Sequence, residues 1–170
     1  MLVPRFVLGL VLILVALVLQ VTVFARLPWP GVSPDLVLLV AVSLALVHGP
    51  LTGAVTGFLA GLTLDLAPPA DTVAGRSALV LCLVGYVAGL MRKEAEDSVV
   101  ASLAVVVGGA VVATAGYALL GALMGDPRVT WTVVWQTLPA TVAYDVVLGP
   151  FVVPVVMALS RRAEPGAMRR

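Results

Sequence analysis

The chain has 170 residues, of which 61% are hydrophobic and 11% charged, with a mean hydropathy of +1.14 and a net charge of +1. That composition belongs to polytopic membrane proteins, leaves no room for a separate soluble domain, and carries no basic surplus for a nucleic-acid partner. Cys82 is the lone cysteine, which excludes an intramolecular disulfide or a thiolate metal cluster, so residues 1–170 read as one membrane domain.

Crossing about 30 Å of hydrocarbon takes about 20 helical residues, or about 17 where the bilayer thins. Six helical segments are predicted: 6–24, 32–47, 51–66, 77–91, 99–124 and one within 129–159. The first follows Arg5 and ends near Val23-Phe24-Ala25, which loosely fits a signal cleavage site. Its run of 19 residues exceeds a usual signal core and suffices to span, so it is expected to be retained. The second and third segments are short and are joined by His48-Gly49-Pro50, a tight turn by composition. A thin or shielded helical hairpin is the expectation.

The third segment carries Gly53, Gly57 and Gly61, followed by Asp65. Four-residue spacing keeps these positions near one face of a helix. In water each glycine would cost roughly 1 kcal/mol against alanine. In a bilayer the same glycines form a flat groove that lets a neighbouring backbone come close. Gly53, Gly57 and Gly61 are therefore the candidate helix-packing face. Gly85/Gly89 and Gly121/Gly125 share the spacing and read as further packing within the chain. The segment 92–97, with three acidic residues among six, reads as a solvated turn. The final apolar stretch has 31 residues and contains Pro139, Pro150 and Pro154, too long for one simple span. Residues 129–138, with Trp131 and Trp135, suit a short interfacial helix, and 140–159 a sixth span bent near its prolines.

Six spans put both termini on one side. Arg5, Arg92, Lys93, Arg161, Arg162, Arg169 and Arg170 fall there, against Arg26, Arg76 and Arg128 on the other, which places the termini in the cytoplasm. The polar side chains then gather in the outer half: Gln20, Asp35, Asp65, Arg76, Tyr144 and Asp145. Asp65, Arg76, Tyr144 and Asp145 form the candidate outer polar cluster. Two readings stay open. The carboxylates either satisfy Arg76, Arg26 or local backbone and hold helix ends in place, or they line an outward-facing cavity or partner groove. Arg76 is the favoured partner of Asp145 and Arg26 the second. His48 reads as a turn residue, and Tyr86 and Tyr117 as core or interface anchors.

No catalytic constellation is present. The sequence contains no HExxH, no second histidine, no GxSxG and no GxxxxGK[ST], and its intramembrane acids are too scattered for a two-metal site. A non-enzymatic protein without cofactor or metal is expected.

The run Pro34-Asp35-Leu36, then Gly53-x3-Gly57-Phe58-x2-Gly61-Leu62-x2-Asp65, together with Ala143-Tyr144-Asp145-Val146-Val147-Leu148-Gly149-Pro150-Phe151, resembles the actinobacterial branch of the rod shape-determining protein MreD family. The resemblance implies an all-α membrane scaffold of the cell-elongation machinery in the plasma membrane, supporting cell shape and peptidoglycan synthesis. Its implied partners are an MreC-like protein, a RodA-type glycosyltransferase, a class B penicillin-binding protein, MreB where present, and the lipid bilayer. The fold expected for such a chain is also similar to the substrate-binding S components of energy-coupling-factor (ECF) transporters. That second likeness supplies the rival function, small-molecule uptake, through an outer polar cavity around Asp65, Arg76 and Asp145.

Overall fold

The computed structural model describes residues 3–23, 34–67, 75–125 and 131–162. These form seven helices and no strand: α1 (Val3–Thr22), α2 (Leu36–His48), α3 (Pro50–Leu66), α4 (Arg76–Leu90), α5 (Arg92–Asp97), α6 (Val99–Leu123) and α7 (Trp131–Arg162). Two of them, α6 and α7, are long and apolar enough to cross a membrane on their own.

Helix α2 is the axis of the bundle. It is apolar on every side, and residues 36–47 are all buried. A helix with no polar face can be accommodated only where every face meets protein or lipid. Here α2 packs against all six other helices. The lone hydroxyl within it, Ser43 Oγ, donates to the Leu39 carbonyl at 2.6 Å, so the hydroxyl makes no demand on neighbouring helices. At 1.5 Å per residue, its 13 residues reach only about 20 Å. The outward faces are apolar as well: Val7, Leu14 and Val18 on α1, Leu79 and Leu83 on α4, Phe151 and Val155 on α7 are all exposed. Apolar surface this extensive, inside and out, is that of a bundle solvated by lipid.

Helix α2 turns into α3 at Gly49, whose φ of 87° lies in the left-handed region where a side chain would be strained, and Pro50 occupies the first turn of α3. α3 and α4 then run antiparallel in backbone contact. A Cβ on Gly53 would strike the Gly85 carbonyl, one on Gly57 the Leu81 carbonyl, and one on Gly61 the Ser77 carbonyl and Ala78 Cα. Gly89 returns the contact at the other end, against Gly49 and Pro50.

Two expectations are corrected. The acidic segment 92–97 is the short helix α5 and not a turn; Ala95 buries into the bundle and its carbonyl accepts the Ser102 hydroxyl at 2.9 Å. The stretch from Trp131 is one continuous helix of 32 residues, with no separate interfacial helix before Pro139. Each proline removes one intrahelical donor, and in a membrane helix neighbours can compensate, so a proline by itself does not end the helix.

Candidate functional site

One end of the bundle gathers the C-terminal ends of α1, α3 and α6 with the N-terminal ends of α2, α4 and α7. The first turn of α2 opens there inside the protein, where its free N–H groups need partners. Three side chains provide them. Asp145 Oδ1, from α7, accepts the Asp35 N–H at 2.9 Å. Gln20 Oε1, from α1, accepts the Val37 N–H at 3.2 Å. Asp35 itself caps the helix, its Oδ1 accepting from Leu38 N at 3.0 Å. Acidic groups suit this position because the helix dipole is positive there.

Helix α4 starts beside it and is capped from a different helix. Asp65, the last polar residue of α3, takes the N–H groups of Gly75 (2.8 Å), Ser77 (3.1 Å) and Ala78 (3.2 Å) on its two oxygens. Arg76 turns the other way. Its Nε and Nη2 donate to the Tyr117 carbonyl at 3.0 and 2.6 Å, and its guanidinium carbon lies 3.6 Å from the centre of the Tyr117 ring. These contacts tie the start of α4 to α6.

Between the two capped helix ends lies a cavity of about 560 Å³, within the range of small-molecule sites. Its polar wall is Gln20, Asp35, Ser77, Thr114, Tyr117, Thr141 and Asp145; its apolar wall includes Leu38, Leu64, Val80 and Leu81. No Lys, Arg or His among the described residues lines it. Such an arrangement can hold a neutral or cationic organic molecule by hydrogen bonds at one end and apolar contact at the other.

The candidate cluster thus divides. Asp145 is in the cavity wall, while Asp65 and Arg76 are buried behind it, holding α4. Tyr144 is half-buried and outside the wall. Asp145 and Arg76 are not paired: Asp145 bonds to the Asp35 amide through Oδ1, and its Oδ2 has no hydrogen-bond partner. Arg26, the second expected partner, lies outside the described residues, as do Arg128, Arg169 and Arg170. Tyr117, expected as an anchor, contributes to the cavity, and so do Thr114 and Thr141, which no motif in the sequence singles out. Gln20 and Asp35 are legible by depth, but their grouping with Asp145 is not, because helix rotation is invisible where a whole segment is apolar.

The model of the ECF-type riboflavin transporter S component matches residues 8–161, nearly the whole chain. No curated protein and no solved structure matches. The match overturns the scaffold reading. Membership of the MreD family, the role in cell shape and peptidoglycan synthesis, and the MreC-like, RodA-type and penicillin-binding partners lose their basis. The residues that suggested them, a glycine-spaced helix closed by Asp65, follow from tight α3–α4 packing and the capping of α4. Any family with that seam would show them. The match agrees instead with the likeness to S components, which are transporter subunits and not enzymes. On a match that runs through every one of the seven helices, the chain belongs to the ECF-type riboflavin transporter S-component family.

Proposed function

We propose that this protein is the substrate-binding membrane subunit of an ECF-type transporter and that riboflavin, or a close relative of it, is its cargo. The observation that carries the reading is the cavity: a polar-walled chamber at one end of a bundle whose core and outward faces are largely apolar. Family membership supports the cargo.

In this reading the chain forms a single domain in the plasma membrane. Helices α1–α4, α6 and α7 make six crossings, with the short α2 shielded from lipid by the rest. The bias of Lys and Arg toward the side that holds the termini and the 92–97 segment supports cytoplasmic termini and a cavity that opens outward. The chain's own part in transport is recognition. The α3–α4 pair is a rigid wall, and α6 and α7 close the cavity on the other side. Energy would come from partners, the ATPase and T components of such a transporter.

Binding only to the folded state stabilises it, so riboflavin should raise the thermal unfolding midpoint of the detergent-purified protein, and its own fluorescence should be quenched on binding. Co-expression with the ATPase and T components should recover a complex. No stabilisation by riboflavin, together with capture of cell-wall proteins instead of ATPases, would overturn the reading. In a Cys82→Ala background, a cysteine replacing Leu66 should react with an impermeant thiol reagent outside intact cells, and one replacing Glu94 should not.

A further inference from the structure

Of the buried side-chain oxygens and nitrogens among the described residues, Asp145 Oδ2 alone has no hydrogen-bond partner. Its setting makes that unusual. The acidic and amide side chains around it are engaged: Asp145 Oδ1 with the Asp35 amide, Gln20 Oε1 with the Val37 amide, Asp35 Oδ1 with the Leu38 amide, and both oxygens of Asp65 with the start of α4. Asp145 is 0% exposed, so bulk water does not satisfy the free oxygen. An unmet buried acceptor is costly, and native structures keep one where something else completes it. Packing alone does not require it. An asparagine side chain at this position would accept the Asp35 amide equally well.

We propose that Asp145 Oδ2, once its side chain turns toward the cavity it lines, is the specificity-determining acceptor and takes an N–H from the bound ligand. The inference rests on the cargo reading above and deepens it. Oδ2 carries lone pairs that no protein donor meets, so a ligand N–H would complete it. The wall offers no cation to an anionic ligand. The isoalloxazine ring of riboflavin has a single ring N–H, the imide at N3. In this assignment the imide edge is the end of the ring that seats on Asp145, and the apolar body lies toward Leu64, Val80 and Leu81.

The test compares riboflavin with N3-methylriboflavin, which lacks the donor, on the wild-type protein and on Asp145→Asn, by fluorescence quenching in detergent. The Asp145→Asn side chain keeps an oxygen for the Asp35 amide, so the variant should unfold at nearly the wild-type temperature without ligand, which separates recognition from folding. The wild-type protein should bind riboflavin at least tenfold more tightly than the methylated analogue, because a site built for a donor rejects the analogue that lacks it. Asp145→Asn presents an N–H where the acceptor stood. It should bind riboflavin at least tenfold more weakly than wild type and lose most of the preference between the two flavins. Equal binding of both flavins by wild type, or unchanged riboflavin binding by Asp145→Asn, would overturn the assignment and leave the cargo reading intact. No binding of riboflavin by the wild-type protein would overturn both.

Discussion

Helix α4 has two small-residue neighbours, α3 and α6, and it meets them differently. Toward α3 the glycines face backbone: Gly53 against the Gly85 carbonyl, Gly57 against Leu81, Gly61 against Ser77. Toward α6 they face side chains: Gly109 meets a Val84 methyl at 3.3 Å and a methyl of Val42, on α2, at 3.4 Å, Gly116 meets both Val80 methyls at 3.4 Å, and Gly108 meets nothing within 4 Å. The first arrangement brings two helix axes together and leaves no space. The second holds the helices apart on valine spacers, and the cavity opens beside Val80, Ala110, Ala113 and Thr114. Glycine content alone therefore does not make a tight seam. What stands opposite decides, and the site lies on the looser side.

Four measurements bear on this contrast. The largest effect belongs to the closed seam. Gly57→Leu should remove most folded protein, since the neighbour is a backbone carbonyl that cannot swing away. Overpacking of a dense core costs about 1–3 kcal/mol, and more where backbone must move. Wild-type stability of this variant by size-exclusion and thermal unfolding in detergent would mean that the seam is not closed. Next comes the seam's end. Asp65→Ala strips three N–H partners from α4 at a buried position and should cost about 2 kcal/mol, the upper end for loss of a helix cap. A change of less than about 0.5 kcal/mol would show that water replaces the carboxylate there and that the capped end is not sealed.

A smaller effect tests the open side. Asp145→Ala loses one hydrogen bond but also removes an unmet acceptor, so its stability cost should stay near ~1 kcal/mol. Combined with Arg76→Ala in a double-mutant cycle on thermal stability, it should add within about 0.5 kcal/mol, as for residues without a shared partner. A clear coupling energy would place Arg76 and Asp145 in one network, against the different partners they hold in the fold. The smallest effect is at Gly108, in open space on α6. Gly108→Ala should be neutral, or stabilising by up to about 1 kcal/mol from helix propensity. Destabilisation there would mean that α6 is packed as closely as α3.

Much of this is visible in the residues. Hydropathy marks the membrane class, and the four-residue spacing of Gly53, Gly57 and Gly61 marks a small-residue face on α3. Position along each segment gives depth, which brings Gln20, Asp35, Asp65, Arg76 and Asp145 to one end of the bundle. The segment 129–159 departs from expectation at Pro139, which reads locally as a break, whereas a membrane helix can run through a proline when its neighbours compensate.

By itself, then, the sequence determined composition, the apolar helical segments apart from the short α5 and the unbroken start of α7, and the end of the bundle at which the polar groups gather, because these depend on local chemistry and on the fixed rise of a helix. Azimuth belonged to the tertiary structure. Where a segment such as α2 is apolar at every position, no periodicity says which way a residue faces, and a carboxylate at known depth can point to any neighbour. Packing alone sent Asp65 to the start of α4, Arg76 to the Tyr117 carbonyl, and Asp145 to the amide of Asp35 at the edge of a cavity.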